Sequence, residues 1–105
     1  MKYLITESQL DNVIYIYLDN LNLYKIEDRG DYYFWESKES WNRNDYVLIS
    51  ASRKRKDCFV GSDLLSEISS FFSLDLESAL LIISKWVETK VNFEITYHYS
   101  DYGAD

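Results

Sequence analysis

Proline is absent from this chain, glycine occurs three times, and cysteine and histidine once each. Nor does any Pro-rich linker, repeat or low-complexity segment divide the sequence. Its 105 residues are therefore read as one domain spanning 1–105. So few glycines leave no Gly-rich loop that could cradle a phosphate. A single cysteine, Cys58, has no partner for an internal disulfide, which fits a reducing, cytoplasmic setting. The longest apolar runs fall far short of the ~20 residues of a membrane span, so no membrane contact is expected. Polar, acidic sequence follows the first few residues, so a signal peptide is not expected either. Positive charge is scarce: 11 Lys and Arg stand against 18 Asp and Glu, a net charge of −7.

Aromatic residues are plentiful. They make up 17% of the chain, and ten of them are tyrosines. A large apolar ring with a polar tip suits cores with wet edges and binding surfaces. Hydrophobic content of 47% and charged content of 28% are those of a globular protein, not a disordered one.

The strongest helical pattern lies between Leu74 and Val87. Leu76, Ala79, Leu80, Ile83, Trp86 and Val87 recur at helical spacing, and Leu81 and Ile82 widen the stripe. Ser73 is a candidate N-cap, with Asp75 and Glu77 in the first turns. This helix is expected to be covered on more than one side and to act as a structural anchor. A first helix from Glu7 to about Asn20 carries Leu10, Val13, Ile14, Tyr17, Leu18 and Leu21 on one stripe. Thr6 to Gln9 fits a capping box, with Ile5 and Leu10 as a hydrophobic staple.

Two short strands, Leu23–Glu27 and Tyr32–Glu36, flank the turn Asp28-Arg29-Gly30-Asp31 and make a hairpin. The turn also explains its Arg-Gly-Asp tripeptide, so no adhesion role is assigned to it. Residues 37–45 are polar and read as a loop. Tyr46 to Ser52 is a third strand, with Val47, Ile49 and Ala51 on one face and Tyr46, Leu48 and Ser50 on the other. Cys58-Phe59-Val60 is either a short strand or an irregular lead into the next helix. That helix starts near Gly61-Ser62-Asp63 and carries Leu64, Leu65, Ile68, Phe71 and Phe72. Phe93 to Tyr99 alternates as a half-buried strand, and Asp101 to Asp105 is an acidic tail. The order is α-β-β-β-α-α-β. It predicts an α+β fold, an antiparallel sheet of about four strands with helices packed on one face, and the last strand at an edge or beside the first.

The segment K-Y-L-I-T-E-S-Q-L at residues 2–10 resembles the start of small uncharacterised proteins encoded by tailed bacteriophages. The segment F-S-L-D-L-E-S-A-L-L-I-I-S-K-W-V-E-T-K-V-N at residues 72–92 is similar to a recurring C-terminal helix of such proteins. The two segments cover about a third of the chain. The resemblance implies a viral origin, and with it a host cytoplasm. It implies nothing about activity.

Four patterns are candidates for function. In Tyr32-Tyr33-Phe34-Trp35, alternate residues face opposite sides, so two aromatics must lie on any sheet face the helices leave open. Exposed contiguous aromatics mark interaction surfaces. Tyr33, Trp35, Tyr46 and Leu48 are the expected anchors for a protein partner or a second copy, although alternation alone does not say which face of residues 32–36 is outside. The competing reading has the 37–45 loop fold back through Trp41 and cover them.

The second pattern is the basic run Arg53-Lys54-Arg55-Lys56. Without its four charges the rest of the chain stands at −11, a poor footprint for nucleic acid. Solubilisation of a strand edge, or pairing with the protein's own acidic surface within a chain or between subunits, is the better reading.

Third, Glu7, Asp11, Asp19, Glu27, Asp28, Asp31, Glu36 and Glu39 could mimic nucleic acid and occupy a basic site on a host protein. Solubility alone accounts for them as well.

Fourth, Cys58 and His98 are the residues a Cys/His enzyme would need, with a third group orienting the imidazole. No metal-ligand spacing or nucleophile elbow accompanies them, so no catalysis, metal or cofactor is expected.

Overall fold

The computed structural model describes residues 7–101, with side chains from Gln9 onward. Thr6 of the expected capping box, Ile5 of the staple and residues 102–105 of the tail lie outside the described residues. In chain order the elements are α1 (Glu7–Asn20), β1 (Tyr24–Asp28), β2 (Asp31–Trp35), α2 (Lys38–Asn42), β3 (Ile49–Ser52), β4 (Asp57–Val60), α3 (Ser62–Phe71), α4 (Leu76–Glu88) and β5 (Tyr97–Ser100). The fold is α+β. The expected element order holds, with two short elements added to it. Cys58-Phe59-Val60 becomes β4. The stretch expected to be a loop contains α2, started by Ser37, whose hydroxyl accepts the Ser40 amide at 3.1 Å.

The sheet has five strands in the spatial order β1-β2-β3-β4-β5. The first three pairings are antiparallel and the last, β4 with β5, is parallel. The sheet is thus mixed, not a purely antiparallel sheet of four strands. The reason is connectivity. Antiparallel neighbours can be joined by tight turns, whereas α3 and α4 stand between β4 and β5 and carry the chain back to start again in the same direction. At the β1–β2 turn, Arg29 and Gly30 have φ of 55° and 88°, the signs a two-residue type I′ turn requires.

The strands predicted at 46–52 and 93–99 are both trimmed. The Leu48 amide donates to the Phe34 carbonyl at 2.9 Å, but the strand proper begins at Ile49, leaving Tyr46 and Val47 in the approach loop. Phe93 and Ile95 are taken up by packing instead. Phe93 lies against Tyr32, ring centroids 6.1 Å apart, and the Ile95 amide donates to the Glu88 carboxylate. Strand pairing starts only at Tyr97.

One face of the sheet builds the core. Tyr32, Phe34, Ile49, Ala51, Cys58 and Val60 point into it and meet Ile14 and Leu18 of α1, Leu64, Leu65 and Ile68 of α3, and Ala79, Ile82, Ile83, Trp86 and Val87 of α4. The anchor helix α4 packs on β4 and β5 and is flanked by α1 and α3. Its cap is Asp75, not Ser73: the carboxylate accepts the Ser78 amide at 2.7 Å. The stripe widens on the Ile82 side, while Leu81 is exposed. Phe71, expected in the α3 stripe, is also exposed and leans on Tyr17 with centroids 5.2 Å apart.

Candidate interaction face

Alternation in β2 separates core rings from surface rings. Tyr32 and Phe34 are 4% and 2% exposed beneath the helices. Tyr33 and Trp35 point to the opposite side and are half-buried. Strand register extends that side into rows. The central row runs Ile26, Tyr33, Ser50, Phe59, Tyr99 across all five strands. Tyr24 and Trp35 are paired on one flank, and Asp57 and Tyr97 on the other. The rings contact one another along the face. Phe59 and Tyr99 centroids lie 5.4 Å apart, and Tyr97 stacks on Tyr99 at 5.6 Å. Tyr97 is 61% exposed.

Of the helices, α2 is the one that reaches this side, and it covers a corner. Trp41 packs on Tyr24 with centroids 5.7 Å apart. The 37–45 segment therefore does fold back, but over the β1 end and not over the central row. The Trp35 indole N–H is shut off from solvent and has no hydrogen-bond partner among the described residues.

The four predicted anchors divide into two groups. Tyr33 and Trp35 lie on the open face. Tyr46 is in no strand and is almost fully exposed, while Leu48 precedes β3 and packs partly against the core. Tyr46 and Leu48 meet again in a hollow of about 380 Å³ at the end of the face, together with Phe59, Gly61, Asp63 and Asp101. Phe59, Tyr97 and Tyr99 were not among the predicted anchors. The alternation of residues 93–99 carries a signal for Tyr97 and Tyr99, whereas nothing in Cys58-Phe59-Val60 alone fixes the face of Phe59.

The basic run forms the β3–β4 turn, beyond the opposite end of the strands. Arg55 pairs with Asp57 at 2.9 Å. This hydrogen-bonded carboxylate raises the guanidinium pKa further, with smaller electrostatic contributions from Tyr99 and Asp31. Arg55 thus turns toward the open face. Arg53 turns the other way, its guanidinium 5.7 Å from the Phe93 ring centroid.

The carboxylates do not form one strip. Asp19 is engaged by Trp86 and Lys90, and the Asp31 carboxylate accepts the Arg53 amide. Asp11 lines a groove between α1 and α4, and Glu7 has no described side chain.

Cys58 and His98 are direct cross-strand neighbours on the helix-covered side, a proximity the sequence did not suggest. Burial is complete at Cys58 and pushes its thiol up to about 12, with a Ser84 hydrogen bond opposing the shift. A nucleophilic thiol needs the opposite shift. Among the described residues no group of His, Cys, Asp and Glu could hold a metal ion, and no helix is long and apolar enough to cross a membrane. Neither a family model, nor a curated protein, nor a solved structure matches the chain.

Proposed function

We propose that this chain is a small non-enzymatic interaction module of a tailed bacteriophage, binding a protein partner or itself through the open aromatic face of its sheet. The observation that carries the reading is the row Ile26, Tyr33, Phe59 and Tyr99, set on the face that α1, α3 and α4 leave uncovered. Tyrosine offers large contact area at low entropic cost, and its hydroxyl keeps the free face soluble. Such rings dominate binding energy when a partner excludes water around them. The likeness of segments 2–10 and 72–92 to phage proteins supports the viral assignment, and with it action in the host cytoplasm.

Tyr33 and Tyr97 stand outside the core, so their truncation separates binding from folding. The tagged wild-type chain as bait in host lysate supplemented with untagged chain is expected to retain a protein, either from the host or a second copy, that the Tyr33→Ala/Tyr97→Ala variant loses, with thermal melts that agree within a few degrees. Equal retention by both baits, or by neither, counts against the reading.

A further inference from the structure

We infer that the occupant of the open face is a second copy of this chain, docked face to face with its strands reversed. This rests on the reading of that face as a binding surface. It is carried by how charge is divided between the two ends of the sheet.

One end holds the β1–β2 and β3–β4 turns. Arg29, Arg53, Lys54, Arg55 and Lys56 gather there against Asp28, Asp31, Asp57 and Glu94, five cations to four carboxylates. The other end holds Glu36, Glu39, Asp45, Asp63 and Asp101 against Lys38 and Arg43, five carboxylates to two cations. Arg43 is spent on Asp45 at 2.8 Å. The two ends therefore differ in sign, slightly positive at the turns and acidic at the other end, with the aromatic row between them.

A two-fold axis lying across the strands turns this arrangement into self-complementarity. Rotation about it keeps β3 over β3 and β4 over β4, but reverses strand direction. The aromatic row meets its own copy, and each basic end meets an acidic end. The hollow is where the rotation matters most. It lies beside the start of β3 and the end of β4, walled by Tyr46, Leu48 and Phe59 and rimmed by Asp63 and Asp101. The β3–β4 turn lies at the opposite end of the same two strands. Turn tip and hollow are each roughly 10–14 Å from the strand midpoint at 3.4 Å per residue. The rotation thus sets the tip of one copy above the hollow of the other. Lys54 at that tip makes no contact within its own chain among those described, so its ammonium is available to Asp63.

Area makes the charged ends necessary. Five strands of four or five residues offer a plane of about 24 by 14–17 Å, at most about half the ~800 Å² each partner buries in a stable complex. The aromatic row alone is too small, and engaging the turn and the hollow extends it. The net charge of −7 per copy is no bar, because repulsion at long range is screened over about 8 Å at physiological salt while the opposed ends are in contact.

The test is sedimentation equilibrium on the full chain, from low micromolar to several hundred micromolar. The wild type is expected to dimerise. Lys54→Glu and Asp63→Lys, each checked by thermal melt, should each weaken dimerisation about tenfold, since symmetry places the altered contact twice in every dimer. An equimolar mixture of the two variants should regain wild-type association, because every pair in the mixed dimer is again of opposite sign. A wild type that stays monomeric overturns self-docking. The reading of the face then stands or falls separately on the bait comparison of Tyr33→Ala/Tyr97→Ala. A dimer indifferent to Lys54→Glu, or a mixture that fails to regain association, overturns this arrangement. A dimer that also ignores Tyr33→Ala/Tyr97→Ala overturns the face itself as the contact.

Discussion

Two tryptophans show how little residue type alone decides. The Trp86 indole N–H donates to the Asp19 carboxylate at 2.9 Å and its ring meets Phe34 with centroids 5.7 Å apart. The Trp35 indole N–H, shut off from solvent, donates to nothing among the described residues. A buried donor left unpaired costs about 1–3 kcal/mol, and replacing it with an apolar ring removes that cost. Trp35→Phe should therefore leave stability within about 1 kcal/mol of wild type or raise it. Trp86→Phe should cost about 1–3 kcal/mol, because it removes the hydrogen bond to Asp19 and leaves a void. Urea titration of both variants measures the difference. Equal losses would mean that the Trp35 donor is satisfied. Core membership of alternate residues in 32–35 was legible from the period of two. Which member of each pair faces outward was not, because both are aromatic and the alternation reads the same either way up.

At the scale of elements, α1 and α4 are tied together by one carboxylate. Hydrogen bonds from Lys90 and then Trp86 hold the Asp19 carboxyl below its usual range, against a smaller desolvation penalty. The Asp75 carboxyl is lowered too, by the Ser78 amide at the start of α4. A folded-state pKa below the unfolded value near 3.9 contributes stability above that value and loses it as pH falls through the lowered one. Thermal melts should thus be nearly flat down to about pH 5 and fall below it, and Asp19→Asn should flatten the acid side of the curve. An unchanged acid slope in that variant would remove Asp19 from the account. Helix α2 is the element least visible beforehand. Five residues of mixed polar sequence carry no periodic signal, and its covering of Tyr24 depends on a contact to β1 that lies more than a dozen residues away in sequence.

For the whole molecule, the sheet order places β3 between two neighbours on each side, with α4 lying over β4 and β5. Local stability follows the density of such packing. Amides of β3 and of the inner turns of α4 should exchange with solvent only through global unfolding, while those of β5, a four-residue edge strand, should exchange sooner. Native-state hydrogen exchange followed by NMR resolves this directly, and slowest exchange in β5 would contradict it. Three helices on one face concentrate stability there and leave the opposite face outside the main core.

Taken by itself, the sequence determined the three long helices, the first hairpin, the single apolar face and the α+β class. Each of these rests on the period of a local pattern or on turn chemistry within a few residues. It also determined that aromatic residues had to lie on whichever sheet face the helices left open. Only the tertiary structure decided that β5 joins β4 in parallel, that Phe59, Tyr97 and Tyr99 share a row with Tyr33, and that Cys58 sits beside His98. The physical reason is that alternation marks two faces without naming which one the helices cover. That choice is made by packing between residues far apart in the chain, and it carries the charges of two distant loops to opposite ends of one surface.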